Sequence, residues 1–469
     1  MSQPPKSSFK PKSPARPPHK GPKPSARVSR APKPEGDQSM DNDIGLNARF
    51  AAITLISAAL EKRSGFDEAA ASADFLKLSE SERAFARALA LLVLRRLGQL
   101  DHVIHKKTQK MPPEAVRQLL RIGMAQIFFM QVPDFAAVST TVKIAERENK
   151  TRPFKGLINA ILRGLIREGK LSEVNPKRLV PDWLWQRWVQ TYGEDNAAGM
   201  AEVLTGEPAT DLSFAAVTDR DALMAALEGE AVGPLNLRSA LRGDLRQWAE
   251  YDAGKWWVQD IAAATPVNLL GDLTGKTALD VCAAPGGKTM QLIAKGAQTV
   301  AIDRSKNRLK RVEDNLKRVG MTAEIHNADA STVDDPRTFD VVLVDAPCSA
   351  TGTYRRQPDV LWATRPADIA KLADVQHRLL DTLAGRVKPG GDFVYCTCSL
   401  EREEGETQIL AFLRRNKDFV LVKHAADQHP DIPAASFAPE GWLRLLPHQR
   451  KGGQDGFFVA HLKRNPANA

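Results

Sequence analysis

The chain of 469 residues contains only four cysteines, and each lies in a short segment rich in small residues. The segments are LDVCAAPGGKT at 279–289, VDAPCSATGT at 344–353 and VYCTCSL at 394–400. A cysteine can attack an electrophile, bind a metal or form a disulfide, and the thiolate is the reactive form for the first two. The spacing of the four cysteines decides which of these uses the sequence favours.

Disulfides and zinc are two structural uses of cysteine, and the spacing favours neither. Four cysteines spread over three segments do not form a disulfide framework and suit a reducing cytoplasm. Zinc sites usually separate paired cysteines by about two to four residues, whereas one residue separates Cys396 from Cys398. The histidines near the middle of this region, His326 and His377, lie in unrelated segments. We therefore predict no metal.

A nucleophilic role explains the cysteines better, because a thiolate can activate a pyrimidine ring. Addition of a thiolate to C6 of cytosine saturates the 5,6 double bond, so that C5 can take a methyl group from a sulfonium. A base then removes the C5 proton, and the thiol is eliminated. This chemistry needs a cysteine beside the methyl donor and an acid to support N3. Cys348 and Cys398 both follow predicted strands, and Asp345 lies three residues before Cys348.

The elements that must position these residues alternate between strand and helix from about residue 251. Short apolar runs predict strands at 277–281, 299–303, 323–329, 339–345 and 391–397, with helical segments between them. Such alternation predicts a parallel α/β sheet with helices on both faces. The run GFFVAHL at 456–462 is predicted to close the sheet as an edge strand.

A ligand crevice is predicted at the carboxyl ends of these strands. The loop CAAPGGKT follows the first strand and opens a helix, and Gly286 and Gly287 let its backbone turn tightly and approach a ligand. Asp303, Asp329 and Asp345 end the next three strands. An acid at the end of the second strand can accept hydrogen bonds from ribose hydroxyls. The sequence therefore predicts a nucleoside-containing ligand.

The phosphate-binding motifs are incomplete. A P-loop needs G-x-x-x-x-G-K-[ST], but Cys282 occupies its first glycine position. The dinucleotide fingerprint G-x-G-x-x-G is also absent. A glycine loop with a ribose-binding acid and no phosphate cradle favours S-adenosylmethionine, a nucleoside cofactor without phosphates.

The N-terminal part of the chain has a different organisation. Residues 1–42 are predicted to form a disordered basic tail, because the first 40 contain nine Lys/Arg, two acids and ten of the 30 prolines. Residues 43–170 predict an all-helical domain. Its face with Lys155, Arg163 and Arg167 either contacts phosphates or is merely solvated. Residues 171–250 predict a small bridging subdomain, and residues 251–466 the α/β domain.

The composition is that of a soluble globular protein, with 43% hydrophobic and 26% charged residues. No run of 18 apolar residues occurs, and the N-terminus lacks the apolar stretch of a secretory signal. We therefore expect a cytoplasmic protein with no membrane partner. The first 40 residues carry +7 of the net charge of +10. Such a tail either binds a polyanion such as RNA or keeps the protein soluble.

The motifs taken together resemble a known family. LDVCAAPGGKT, VDAPCSATGTYRR, YCTCSLEREEGE and GFFVAHLKR are similar to the RNA cytosine-5 methyltransferases, and LSESERAFARALALLVLRRLGQLD with GLINAILR is similar to the antitermination factor NusB. The combination resembles the bacterial 16S ribosomal RNA branch of that family over about 43–466. It implies a multidomain, monomeric protein that binds RNA. An all-α NusB-like domain would precede an α/β Rossmann-like class I methyltransferase domain with a mostly parallel seven-stranded sheet.

The resemblance also implies roles for individual residues. Cys398 in T-C-S corresponds to the family nucleophile, Cys348 in P-C-S assists product release, and Asp345 contacts the target base. The S-adenosylmethionine site corresponds to Cys282, Ala283, Ala284, Pro285, Gly286, Gly287, Lys288, Asp303, Asp329 and Asp345. Family members usually have a small residue such as alanine where this chain has Cys396. We interpret Cys396, like Cys282, as a packing residue.

Several alternatives remain open at this point. The same chemistry could serve another RNA such as tRNA. The chain could instead be a P-loop nucleotidase or a non-catalytic RNA-binding assembly factor, although the intact pair Cys348 and Cys398 argues against the latter. The two cysteines could also exchange roles, because DNA cytosine-5 methyltransferases take their nucleophile from a P-C motif.

The basic tail gives a testable prediction. Deletion of residues 1–40 should reduce the salt dependence of RNA binding, because the tail contributes affinity by releasing counterions. The methylated position should not change. Filter-binding titrations between low and high salt measure the slope, and an unaltered slope would show that the tail does not contact RNA.

Overall fold

A computed structural model describes residues 38–61, 65–169, 171, 174–332 and 335–466. Most of the predicted basic tail, up to residue 37, lies outside these residues. From Gln38 onward the chain is helical, so the first helix begins inside the segment predicted as tail. Across the described part of the chain, no helix is both long and apolar enough to cross a membrane.

The N-terminal region is all-helical, as predicted. Its helices are α1 (Gln38–Glu61), α2 (Gly65–Ala70), α3 (Ala73–Leu76), α4 (Glu80–Arg95), α5 (Leu97–Lys107), α6 (Glu114–Phe129), α7 (Asp134–Arg147) and α8 (Lys155–Glu168). A capping box fixes the start of α4, where Ser79 and Glu82 satisfy each other's backbone N–H groups. Helix α6 is buried on most sides and contacts α4, α5, α7 and α8. It therefore forms the centre of the helical core.

The basic face of α8 is partly occupied by its own neighbours. Ile158, Ile161, Leu162 and Leu165 form the buried stripe. On the other side, Lys155 pairs with Glu146 at 3.0 Å, and Arg163 donates to Asn159 at 2.9 Å. Both side chains are exposed, so these contacts are weak and leave the face accessible.

The bridging region combines two helices with a small sheet. Its elements are α9 (Asp182–Tyr192), α10 (Glu194–Glu202), β1 (Thr210–Phe214), α11 (Val217–Leu223), β2 (Gly229–Gly233), β3 (Asn236–Ser239) and β4 (Trp256–Val258). The strands pair antiparallel in the order β2-β3-β1-β4. Because β4 lies beyond residue 250, the sheet takes its last strand from the segment that we assigned to the α/β domain.

The C-terminal part is the α/β domain. Its elements are α12 (Ile261–Asn268), β5 (Thr277–Val281), α13 (Gly287–Ala294), β6 (Gln298–Asp303), α14 (Lys306–Arg318), β7 (Glu324–Asn327), β8 (Phe339–Asp345), α15 (Val360–Ala363), α16 (Pro366–Ala384), β9 (Val387–Thr397), α17 (Glu406–Arg415), β10 (Phe419–Leu421), β11 (Leu443–Leu445) and β12 (Phe457–Arg464). The strand order is β10-β12-β9-β8-β5-β6-β7, and β11 also pairs with β12. Strands β5 to β9 are mutually parallel, which confirms the mostly parallel sheet.

The prediction that 456–462 closes the sheet as an edge strand is wrong. Strand β12 pairs antiparallel with β9 on one side and with β10 and β11 on the other. The described sheet consequently has eight strands, one more than predicted. Strand β12 is apolar over its first four residues and buried over its first six, which agrees with an interior position in the sheet.

Trp362 joins the helical region to the rest of the chain. Its side chain packs both against the helical core and against the cluster around α9 and α10. Its indole Nε1 donates to the carbonyl oxygen of Leu94 at 3.1 Å. Nearby, Arg95 donates to the backbone oxygen of Arg355 at 3.1 Å. The contact therefore fixes the end of α4 beside the segment that follows Cys348.

We predict that Trp362→Ala destabilises the protein. Truncation of a buried tryptophan costs about 3–5 kcal/mol, and for this half-buried side chain we expect about 2–3 kcal/mol. Urea unfolding followed by circular dichroism measures the effect. Phe135→Ala is the control, because the Phe135 side chain is 77% exposed and its loss should change the midpoint little. Equal midpoints for both variants would contradict the prediction.

Candidate active site

The predicted site residues meet at the carboxyl ends of β5, β6, β8 and β9. A cavity of about 410 Å³ opens there, and its lining includes Asp280, Lys288, Asp345, Arg356, Cys398 and Phe457. A second cavity of about 120 Å³ lies nearby and is lined by Cys282, Asp303, Asp329, Pro347 and Leu379 among others. The sheet thus brings the two cysteine motifs and the glycine loop to one edge, as the parallel topology requires.

Cys348 and Cys398 are in direct contact. Their Sγ atoms lie 3.4 Å apart. Cys398 is half-buried and lines the larger cavity, whereas Cys348 is buried behind it. The hydrogen bond to Cys398 and then burial raise the pKa of Cys348 well above its usual value. Cys348 therefore stays protonated and can donate its S–H to Cys398.

The turns that carry the two cysteines are held together by backbone hydrogen bonds. The N–H of Gly352 donates to the oxygen of Cys398 at 2.9 Å, and the N–H of Gly456 donates to the oxygen of Gly352 at 2.8 Å. A Cβ at Gly352 would lie 2.0 Å from the oxygen of Gly456. Glycine is required there because the two backbones leave no room for a side chain.

Asp345 is held by a buried lysine. Lys288 donates to Asp345 at 2.8 Å and lies 5.0 Å from the ring centre of Phe457. Burial opposes the charge on Lys288, but attraction to Asp345 and other nearby acids outweighs it and raises the Lys288 pKa. The Sγ of Cys396 lies 3.7 Å from the other carboxylate oxygen of Asp345. Cys396 is buried, and burial raises the pKa of its thiol.

The carboxylate of Asp303 lies between the glycine loop and the start of α14. The N–H groups of Ala284 and Ser305 donate to it at 3.3 and 2.9 Å. Gly286 has φ +101°, which a residue with a side chain rarely adopts. Cys282 packs against the core of the sheet, and burial raises the pKa of its thiol to about 12. The thiol of Cys282 is thus suited to packing and unsuited to attack.

Asp329 lies across the smaller cavity from this loop. Its carboxylate accepts hydrogen bonds from the N–H and Oγ of Ser331 at 2.9 and 2.6 Å, and its side chain is exposed. Asp303 and Asp329 therefore flank one small crevice whose other walls include the apolar side chains of Pro347 and Leu379. Such a crevice suits a flat base with a polar edge and a ribose.

Asp280 is a site residue that the sequence analysis missed. It lies inside β5, is fully buried and lines the larger cavity. Its Oδ2 accepts a hydrogen bond from Thr289 at 2.6 Å, whereas its Oδ1 has no hydrogen-bond partner among the described residues. Burial raises the pKa of Asp280 to about 7. The sequence did contain a signal for Asp280, because it is an acid in the otherwise apolar run TALDV.

Arg356 was also missed. It lines the larger cavity and forms an ion pair with Asp455, which is buried. The backbone N–H of Asp455 donates to the carboxylate of Asp260. Both carboxylates also form ion pairs with Arg355, so the three residues make one buried group. The motif VDAPCSATGTYRR contains Arg356, so its position after Cys348 was a usable signal.

The described residues fit S-adenosylmethionine. This cofactor carries a positively charged sulfonium and a ribose, and it has no phosphate. Asp280, Asp303, Asp329 and Asp345 surround the two cavities, where they favour positive charge and hydroxyl donors. The unpaired Oδ1 of Asp280 is a buried acceptor that a bound donor would satisfy.

Two family profiles match the chain. The profile described as 16S rRNA methyltransferase RsmB/F matches residues 267–463, and that of the NusB family matches residues 46–167. The first covers β5 to β12 with all four cysteines, and the second covers most of the helical region. The order of the two matches is the order that the sequence resemblance implied.

Solved structures show the same architecture. The crystal structure of PH0851 superposes with a TM-score of 0.69 at 24% identity, covering 89% of this chain and 99% of that one. The crystal structure of NSun6 from Pyrococcus horikoshii with SFG superposes with a TM-score of 0.52 at 19% identity, covering 61% of this chain and 99% of that one. At these identities the likeness concerns the fold.

Curated relatives extend over nearly the whole chain. Ribosomal RNA small subunit methyltransferase B of Shigella flexneri serotype 5b is 35% identical over 407 residues, covering 82% of this chain and 91% of that protein. The protein of the same name from Escherichia coli strain K12 is 34% identical over the same length. Identity at this level over both domains shows that the chain belongs to the 16S rRNA methyltransferase RsmB/F family.

Proposed function

We propose that this methyltransferase transfers a methyl group from S-adenosylmethionine to C5 of a cytosine in ribosomal RNA, through a covalent bond between Cys398 and C6. The observation that carries the proposal is the contact between Cys348 and Cys398, 3.4 Å apart, with Cys398 facing the cavity. An ordinary binding module has no need for two thiols in contact at the edge of an acid-lined crevice.

The attack requires a thiolate with access to the base. Cys398 lines the cavity, and Cys348 can donate its S–H to it from behind. The thiolate of Cys398 adds to C6, and the electrons of the 5,6 double bond move to C5. After methylation, removal of the C5 proton re-forms the double bond and expels Cys398 as a thiolate. Cytosine itself is restored with one methyl group in place of the proton.

Asp345 and Lys288 act together beside the reacting cysteine. Asp345 lies on the cavity wall, and we assign it to contact with the pyrimidine ring of the target. Lys288 fixes the orientation of that carboxylate through a 2.8 Å hydrogen bond. Because both groups are held before the substrate arrives, little reorganisation accompanies the reaction. The target nucleotide must leave its stack to reach this depth.

S-adenosylmethionine supplies an electrophilic methyl group when it is bound. We assign its nucleoside to the smaller cavity, with Asp303 at the ribose and Asp329 at the adenine end. The loop from Cys282 to Lys288 separates this crevice from the larger cavity. Its backbone N–H groups and tight turn at Gly286 let the chain approach the cofactor closely.

The alternative functions fit the site less well. A nucleotidase would need Lys288 for phosphate, but Lys288 is buried and paired with Asp345. The carboxylates of Asp280, Asp303 and Asp329 would also repel a triphosphate. A non-catalytic assembly factor would not require an accessible Cys398. The curated relatives are named for ribosomal RNA, which favours that substrate over tRNA.

Substitution of the two cysteines separates their roles. Cys398→Ala should lose nearly all turnover, because no adduct can form. Cys348→Ala should still attack and methylate but fail to release the product. It should therefore accumulate as a protein–RNA complex that survives denaturing electrophoresis in the presence of S-adenosylmethionine.

Cys396→Ala is the matched control for the cysteine experiment, since its thiol is buried 3.7 Å from Asp345 and is not one of the two thiols in contact. It should turn over without a trapped complex. A trapped complex from Cys398→Ala and none from Cys348→Ala would reverse the two roles.

Substitution of Asp303 tests the cofactor assignment. Loss of a hydrogen bond to a charged group costs about 1.5–3 kcal/mol, so Asp303→Ala should weaken S-adenosylmethionine binding roughly tenfold or more. Isothermal titration calorimetry measures the dissociation constant. Asp335→Ala serves as control, because Asp335 pairs with Arg337 outside both cavities. Unchanged affinity in Asp303→Ala would refute the assignment.

A further inference from the structure

Glu404 is a fully buried carboxylate between β9 and α17. Its Oε1 accepts hydrogen bonds from the N–H of Ser349 at 2.8 Å and from Gln376 at 3.2 Å. Its Oε2 accepts from the hydroxyl of Ser349 and from that of Ser399 at 2.5 Å. The two hydroxyls also lie 3.1 Å from each other. Glu404 thus has four hydrogen-bond donors, and it is not part of the lining of either cavity.

The two serines that bind Glu404 are the residues next to the cysteine pair. Ser349 follows Cys348, and Ser399 follows Cys398. One carboxylate therefore links the two turns at points adjacent to the reacting sulfur atoms. The backbone oxygen of Glu404 accepts from the hydroxyl of Tyr395 at 2.8 Å, which fixes Glu404 itself to β9. The linkage is continuous from the strand to both cysteines.

Burial of a carboxylate between two turns carries a large desolvation free energy. Burial raises the pKa of Glu404, so its charge is tolerated only because four donors face it. An apolar side chain of similar size would remove the acceptor that Ser349, Ser399 and Gln376 share. Hydrogen bonds to a carboxylate are directional and strong, and such groups fix distances more closely than apolar packing does.

We propose that Glu404 is a positioning residue for the covalent step, which fixes the separation and orientation of Cys348 and Cys398 through Ser349 and Ser399. The part of this inference that concerns chemistry rests on the proposed function, whereas the part that concerns geometry does not. Glu404 acts on the reaction only through the serines, and it does not touch the substrate cavity. Its negative charge, after the hydrogen bond to Cys398 and burial, also contributes to the raised pKa of Cys348.

The first experiment measures the geometry without any substrate. In a Cys282→Ala, Cys396→Ala background, Cys348 and Cys398 are the remaining thiols of the chain. Diamide oxidises the pair to a disulfide and is itself reduced to the hydrazine, so the rate reports how well the sulfur atoms are aligned. Alkylation followed by peptide mass spectrometry quantifies the linked form.

Glu404→Ala should form this disulfide about tenfold or more slowly than the parent. Glu404→Gln should stay within about threefold. The glutamine Oε1 still accepts from Ser349 N–H and Gln376, and its amide N–H groups can donate to the two hydroxyls, which rotate to accept. Asp392→Ala is the control for loss of a buried carboxylate. Asp392 lies earlier on β9 and pairs with His461 and Lys463 of β12. It should react at the parent rate.

The second experiment measures catalysis with all four cysteines present. Glu404→Ala should lower kcat about a hundredfold while the KM for S-adenosylmethionine changes less than about threefold, and Glu404→Gln should restore most of kcat. If Glu404→Ala does not fold, Ser349→Ala replaces it, because that variant removes one of the hydroxyls bound to Glu404 and keeps the carboxylate. Ser349→Ala should lower kcat about fivefold, again with little change in the KM for S-adenosylmethionine.

Three results would overturn the inference. They are a parent-like disulfide rate in Glu404→Ala, a Glu404→Gln variant as impaired as Glu404→Ala, and an equal loss of disulfide rate in Asp392→Ala. Failure of the proposed function looks different. In that case the parent protein would not methylate C5 of cytosine in ribosomal RNA, whereas the disulfide rates of the Glu404 variants would still differ as described.

Discussion

The parallel pairing of β8 with β9 is the constraint on which the site depends. Asp345, the last residue of β8, lies opposite Cys396 of β9. Neighbouring strands lie only about 4.8 Å apart, so the turns that follow them must leave the sheet side by side. Cys348 and Cys398 each follow the paired residues by a few positions and therefore meet at 3.4 Å. The hydrogen bond from Gly352 N–H to the oxygen of Cys398 and the carboxylate of Glu404 then fix the two turns against each other.

Charge decides what the neighbouring crevice accepts. Four acids lie at one edge of the sheet: Asp280, Asp303, Asp329 and Asp345. The nearby Lys288 forms an ion pair with Asp345. The site consequently favours a cation with hydroxyl groups and rejects a phosphate chain. The sequence GGKT differs little from that of a phosphate-binding loop, but its lysine points to a carboxylate. Burial raises the pKa of one of these acids, Asp280, to about 7.

Local patterns predicted most of the α/β domain, because the central parallel strands are mainly apolar runs. The runs at 277–281 and 339–345 coincide with β5 and β8. The edge position of 456–462 was wrong because an apolar run does not reveal how many neighbours its strand has, and β10 and β11 are too short to stand out. Glu404 was missed for a related reason. Its hydrogen bonds include one from Ser349, 55 residues earlier, which no motif spacing contains.

The contact between the cysteines is chemically asymmetric, and this asymmetry assigns their proposed order of action. Two thiols at 3.4 Å cannot both ionise readily, because the second charge would be repelled by the first. Cys348 is buried and lies near Glu404, and its pKa is raised, so the proton stays on it. Cys398 faces the cavity, where its sulfur can accept that S–H. Under the proposed mechanism, the thiol of Cys348 is then already in place beside the sulfur of Cys398 when the product must be released.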